Sequence, residues 1–191
     1  MNRYFLHKSV SFLPAVIFIL FLLPGKVSAD GLSERRAWVG LDLFPTFLAA
    51  DDHIDEKIGE DGKLHLLLVH RGRRDLAEEM SEQLVRIGTI RGIPIQATEV
   101  MIDDLENASG NTPAGIFLVE RMGNGLKTAV RFGKDRHVIV FSPFPGDVEK
   151  GANSGMVVSD RIFPYVNMEA MRLSGIQLKP FFLGIAARYG E

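Results

Sequence analysis

Apolar positions along this chain fall into two alternating periods after an initial unbroken run. Ala37, Leu41, Phe44 and Leu48 recur at helical spacing with Trp38 alongside. Ser33 suits the N-cap of that helix and Glu34 its first turn. Pro45 is expected to kink or end it, because proline lacks an N–H and crowds the preceding turn. Leu64–Val69 is a short apolar run bounded by turn residues and predicts a buried strand. Asp75–Ile87 places Leu76, Met80, Leu84 and Ile87 on one helical face. Ile93–Val100, with Pro94 near its start, Ile116–Val119 and Val138–Phe141 predict three more strands, and Gly125–Phe132 a short helix between the last two. Gly146–Lys150 is at most one helical turn.

The last 40 or so residues change style. Met156–Val158 and Ile162–Val166 flank Ser159-Asp160-Arg161 and predict a β-hairpin. Asn167 suits the cap of a helix reaching Ser174. Pro180–Tyr189 reads as a terminal helix with Phe182, Ile185 and Tyr189 on one face. Strand–helix alternation followed by a hairpin gives an α/β fold. Its sheet should be mostly parallel and flanked by helices on both faces, with the hairpin and terminal helix at the C-terminal end.

The initial run is of another kind. Met1–Ser9 carries Arg3 and Lys8 and no acid, and Val10–Leu23 is apolar. Pro24, Gly25 and then Val27-Ser28-Ala29 follow, with small residues at the positions a signal peptidase reads. The apolar stretch is shorter than the roughly 20 residues of a spanning helix and contains Pro14. Residues 1–29 are therefore expected to be a cleaved signal peptide, with no twin-arginine pair ahead of its apolar stretch, and residues 30–191 a single exported, periplasmic domain.

Composition narrows the chemistry. The chain has 22 basic and 24 acidic residues, and three of the basic ones leave with the leader, so the remainder is mildly acidic. That argues against a general nucleic-acid binder. There is no cysteine, which excludes thiol catalysis, thiolate-bound zinc and disulfides. No Gly-x-Ser-x-Gly elbow is present, and Gly123-Asn124-Gly125 lacks a full phosphate-loop or dinucleotide pattern. His53, His65, His70 and His137 share no motif. Asp52, His53, Asp55 and Glu56 lack the glycine-centred spacing of a calcium loop and read as a solvated acidic loop. No metal, cofactor or catalytic group is expected.

Two places remain. His70-Arg71-Gly72-Arg73-Arg74 follows the first strand and is the most basic spot in the chain. Arg71, Arg73 and Arg74 could hold a phosphate or carboxylate beside a helix start, or simply form a solvated turn. The loop Ser142–Asp147 would share a strand-end ligand site with them. The aromatics Phe144, Phe163, Tyr165 and Phe181 could instead form an exposed patch for a protein partner.

The segment from Gly151 adds a family resemblance. Gly155-Met156-Val157-Val158, Ile162–Val166, Asn167-Met168-Glu169-Ala170, Gly175-Ile176-Gln177-Leu178 and Phe181–Ala187 together resemble the C-terminal signature of the YfiR/HmsC-like periplasmic proteins. Upstream, Phe44-Pro45 sits where relatives have an aromatic–proline step. The resemblance implies a non-enzymatic regulator that binds and restrains a membrane signalling protein, typically a diguanylate cyclase, and so controls cyclic-di-GMP and biofilm formation. A sensor kinase or an outer-membrane receptor is an alternative partner, and a homodimer is compatible with the resemblance. The typical regulator carries stabilising cysteine bridges, and this chain has none. The other reading of the residues is a periplasmic small-ligand-binding protein that uses the strand-end loops.

Overall fold

The computed structural model describes residues 29–108 and 112–190. The expected signal segment, apart from Ala29, lies outside them. The chain forms helix α1 (Ala29–Ala50), strand β1 (Leu64–His70), helix α2 (Arg74–Ile87), strands β2 (Thr89–Ile90), β3 (Ile93–Met101) and β4 (Gly115–Leu118), helix α3 (Gly125–Arg136), strands β5 (Ile139–Ser142), β6 (Ser154–Val158) and β7 (Ile162–Asn167), helices α4 (Met168–Leu173) and α5 (Pro180–Leu183), and strand β8 (Ala187–Tyr189). One eight-stranded sheet runs in the order β2-β3-β1-β4-β5-β6-β7-β8. The block β3-β1-β4-β5-β6 is parallel, β2 and β7 add antiparallel to its two sides, and β8 joins β7 in parallel. The fold is thus α/β, mostly parallel, with helices on both faces.

Burial of both faces explains why β1, β4 and β5 read as continuous apolar runs. On one face, α1 and α2 bury Ala37, Leu41, Phe44, Phe47, Leu76 and Met80 against Leu66, Leu68 and Phe117. On the other, α3 buries Leu126, Ala129 and Phe132 against Leu67, Ile116 and Val140. Gly133 allows α3 to lie this close, since a Cβ there would sit 2.1 Å from Val140 Cγ2. An aromatic chain spans the first core. Phe117 stacks on Phe141 at 5.5 Å, Phe47 meets Phe141 edge-on at 5.3 Å, and Phe182 meets Phe47 edge-on at 4.8 Å.

Four features differ from the sequence reading. First, α1 runs through Pro45 to Ala50. Phe44, Phe47 and Leu48 are all fully buried around the proline, and that packing outweighs one missing helical hydrogen bond. Second, β2 and β3 form a tight hairpin whose central residues, Arg91 and Gly92, both have positive φ, as this turn class requires. Third, Asp51 to Lys57 is not merely a solvated loop. Ile54 is buried, and so is Asp51, which pairs with Lys57 at 2.6 Å. Fourth, the terminal helix is a single turn. After Leu183 and Gly184 the chain extends, and Ala187–Tyr189 pairs with Tyr165–Asn167. Without β8 that stretch of β7 would lack hydrogen-bond partners on its outer side.

Asn153 and Asn167 hold the junction between the parallel block and the hairpin. Val140 donates its N–H to Asn153 Oδ1 at 2.8 Å, and Asn153 Nδ2 donates to Val138 O at 3.0 Å. Asn167 caps α4 by accepting from Ala170 N, and its amide donates to Val148 O.

Candidate functional site

The strand order reverses between β1 and β4. The chain leaves β1 toward β3 on one side and later returns to β4 on the other. Helix α2 then covers one face and α3 the opposite one, so the loops at the carboxyl ends of β1 and β4 part around a crevice. It has a volume of about 340 Å³, and Ser33 and Glu34 of α1 and Phe144 after β5 complete its rim.

A carboxylate from within the chain ties this crevice together. Glu120, just past β4, accepts from the backbone N–H groups of Arg71, Gly72 and Arg73, each at 2.8 Å. Burial pushes its carboxyl pKa up, but the three N–H groups and the nearby Arg71 charge outweigh burial and hold it below the usual carboxylate range. The cluster of backbone N–H groups in the loop just before α2 is thus occupied by the protein's own side chain.

The arginines expected to bind an anion separate into different roles. Arg74 points to Glu78 at 2.8 Å and Glu99 at 3.2 Å and takes no part in the crevice. Arg73 is shared between Glu34 at 3.1 Å and Asp75 at 3.2 Å. Arg71 lines the crevice without a direct ion pair among the described residues, its guanidinium near Gly123. A Cβ on Gly123 would lie 3.4 Å from Arg71 Nη1, and the positive φ of that residue also favours glycine.

Arg121 and Arg36 complete the cationic set, and sequence reasoning missed both. Arg121 lies 5.4 Å from the Phe144 ring centroid and donates to Pro145 O at 3.3 Å. Arg36 donates to the carbonyls of Pro143 and Met156. Its pKa is lowered, first by burial and then by the charge of Arg121. No local motif announces this grouping, because Arg36, Arg71 and Arg121 stand on three separate segments.

Phe144 is corrected as a partner-binding residue. It is 2% exposed, because its loop folds inward. Ser142 Oγ donates to the buried Asp147 carboxylate at 2.7 Å, and Phe144 N donates back to Ser142 Oγ. The other three aromatics lie on the outer surface of the C-terminal segment. Phe163 is half-buried under the Arg161 guanidinium, 4.7 Å away. Tyr165, also half-buried, donates its hydroxyl to Glu149 at 3.1 Å. Burial and then Glu149 raise its pKa. Phe181 is 68% exposed.

Further apolar side chains of the C-terminal segment are exposed beyond these aromatics. Ile185 is 58% exposed, and Leu173, Val158, Ile162 and Tyr189 are exposed as well. An apolar hollow of about 500 Å³ lies between α4 and α5, with Met168, Met171, Ile176, Leu178 and Leu183 in its walls.

A more polar hollow of about 580 Å³ lies at the amino ends of the strands, beside Asp51, His53 and His137. Its groups are already engaged: Asp51 with Lys57, His53 with Glu56, and His137 by donating to Ser174 O at 2.8 Å. Among the described residues no group of three or more His, Asp or Glu side chains could hold a metal, and no helix is long and apolar enough to cross a membrane.

No family profile and no curated protein matches the chain. Solved structures do resemble it. One is an ABC domain in complex with L-Trp from Streptococcus pneumoniae, with a TM-score of 0.51 and 10% identity over 80% of this chain and 61% of that one. Another is a conserved domain protein from Vibrio cholerae O1 biovar El Tor, with a TM-score of 0.50 and 14% identity over 71% of this chain and 57% of that one. The chain spans about six-tenths of the length of these proteins. At such identities the likeness is one of fold.

Proposed function

We propose that this protein is a non-enzymatic, periplasmic regulator that binds the outer domain of a membrane signalling protein and restrains it, with a diguanylate cyclase as the target. Cyclic-di-GMP level and biofilm formation are then its outputs. The reading rests on the resemblance of the C-terminal segment to YfiR/HmsC-like proteins. The observation that carries it is the contrast within Phe181-Phe182: one ring is 68% exposed, the other fully buried. The buried ring fixes α5 to the core, and the exposed ring is carried by the same helical turn as Pro180 and Leu183, which line the apolar hollow between α4 and α5. Exposed apolar side chains on a rigid support, with a polar surround, suit recognition of another protein.

Phe163 and Tyr165 lie on β7, where Tyr165 pairs with Ala187 of β8. Their polar and charged partners, Arg161 and Glu149, keep them half-covered. A buried aromatic at the centre of an interface contributes about 2 kcal/mol or more, and rim groups contribute less. The test is complementation of a deletion strain with Phe181→Glu, Ile185→Glu and Phe163→Ala variants, read by cellular cyclic-di-GMP and biofilm mass. Loss of control with Phe181→Glu and Ile185→Glu, at wild-type protein levels, is expected. Full control by both folded variants would overturn the reading.

A further inference from the structure

We infer that the crevice between the β1 and β4 loops is a binding site for a small organic carboxylate, held by Arg121 and Arg71. This goes beyond the protein-docking role and does not depend on it.

The argument begins with charge matching. Arg73 and Arg74 are each satisfied by two carboxylates. Among the described residues, no carboxylate lies within ion-pair distance of Arg36, Arg71 or Arg121. Arg36 and Arg121 are close enough that the charge of one lowers the pKa of the other. Arg121 is held by a carbonyl and an aromatic face, neither of which cancels a full positive charge. Arg71, across the crevice, acts through space on Glu120, but that carboxylate already accepts three N–H groups. Arg71, Arg73 and Arg121 line the crevice against the carboxylates of Glu34 and Glu120 alone, with Arg36 adding positive charge behind Arg121, and such a surplus favours an anionic guest.

The same geometry selects which anion. A phosphate would be drawn to the converging N–H groups of Arg71, Gly72 and Arg73 in the loop before α2, but Glu120 fills that position. The carboxylates of Glu120 and Glu34 also face the opening and repel a dianion more than a monoanion. A carboxylate matches the planar guanidinium fork of Arg121, whose orientation is limited by its packing on Phe144. At about 340 Å³ the space suits a molecule of a few to a dozen heavy atoms. The switch point of an open α/β sheet is where ligands of such folds sit, which places this surplus charge at a topologically apt position.

The experiment is an amide NMR titration of the purified protein with acetate, benzoate and inorganic phosphate at matched ionic strength and pH. Acetate or benzoate should shift the amides of Arg71–Arg73 and Glu120–Met122 saturably, and phosphate should not saturate them. Arg121→Gln should weaken benzoate binding at least tenfold while the rest of the spectrum is unchanged. Arg71→Gln, on an exposed loop where folding is not at stake, should weaken it several-fold. Three results would each overturn the inference: no saturable shift at these amides, wild-type affinity in both variants, or phosphate binding as tightly as benzoate.

Discussion

The neighbouring phenylalanines of α5 offer a test in which one substitution should damage the fold and the next should not. Phe182 is fully buried, and its ring meets Phe47 edge-on at 4.8 Å. Truncating a buried phenylalanine to alanine costs about 3–5 kcal/mol, the larger values applying where the surroundings cannot close over the hole. Here they are held in place. Lys179 N donates to Ala50 O, Asp52 N donates to Gln177 O, and Phe47 is pinned by Phe141. The cavity should therefore persist, and Phe182→Ala should cost about 4 kcal/mol. For a domain of this length each kcal/mol moves the melting temperature by about 2–4 °C, so a fall of roughly 8–16 °C is expected. Phe181→Ala removes a ring that is mostly in water and should stay within about 0.5 kcal/mol of wild type. Thermal and urea melts followed by circular dichroism measure both. If Phe182→Ala moves the midpoint by less than about 3 °C, or if Phe181→Ala matches it, the division of α5 into an anchoring and a displayed ring is wrong.

Three other expectations can be checked directly. Glu120→Gln should lower stability at neutral pH by about 1–2 kcal/mol, a figure reduced for the partial exposure of the carboxylate. Because the Glu120 pKa is lower in the folded than in the unfolded chain, its contribution is complete above the ordinary carboxylate range and is lost as pH falls through the folded value. Urea midpoints of wild type and variant should therefore converge on acidification, and a gap that widens toward low pH would refute this. Asn153→Ala leaves Val140 N–H and Val138 C=O without their partner in a buried place and should cost about 2–4 kcal/mol, read as a lower urea midpoint with an unchanged slope. For the signal reading, intact-mass measurement of protein from the periplasmic fraction should give a mature chain starting at Asp30, and a chain retaining Met1 on membranes would contradict it.

The parts of the fold that could be read in the sequence are those where a single face decides the outcome. Leu64–Val69, Asp75–Ile87, Ile93–Val100 and the hairpin around Ser159–Arg161 fall within about one residue of the observed elements because their apolar periods are unambiguous. The parts that escaped depend on distant neighbours. Pro45 stays inside α1 because Phe44 and Phe47 find partners on β4, β5 and α5. Ala187–Tyr189 is a strand because Tyr165–Asn167 offers it an edge, although its own residues fit a helical face equally well. The site was half visible. The basic turn Arg71–Arg74 stood out, but its pairing with Glu34 and Glu99, and the capture of its N–H groups by Glu120, involve residues 25 to 49 positions away. Backbone donors leave no trace in a side-chain pattern. Phe144 appeared available for docking because nothing local tells that Ser142 and Asp147 pull its loop inward.

The aromatic chain from Phe44 and Phe47 to Phe117, Phe141 and Phe182 bears on how the molecule assembles as it is made. Helix α1 precedes every strand of the sheet, yet its buried rings meet partners that follow roughly 70 to 135 residues later. Loop-closure entropy must be met before such distant contacts give any return. A nascent chain therefore holds an apolar helix without its full cover until Phe182 has been made, and it is exposed to aggregation for that interval. The parallel strands β1, β3 and β4 can pair earlier, but the face beneath α1 closes only when α5 arrives. Removing the last dozen residues should consequently do more than shorten an edge of the sheet: it would leave the first helix with an unfilled gap at Phe47 and make folding, rather than docking, the first property to fail.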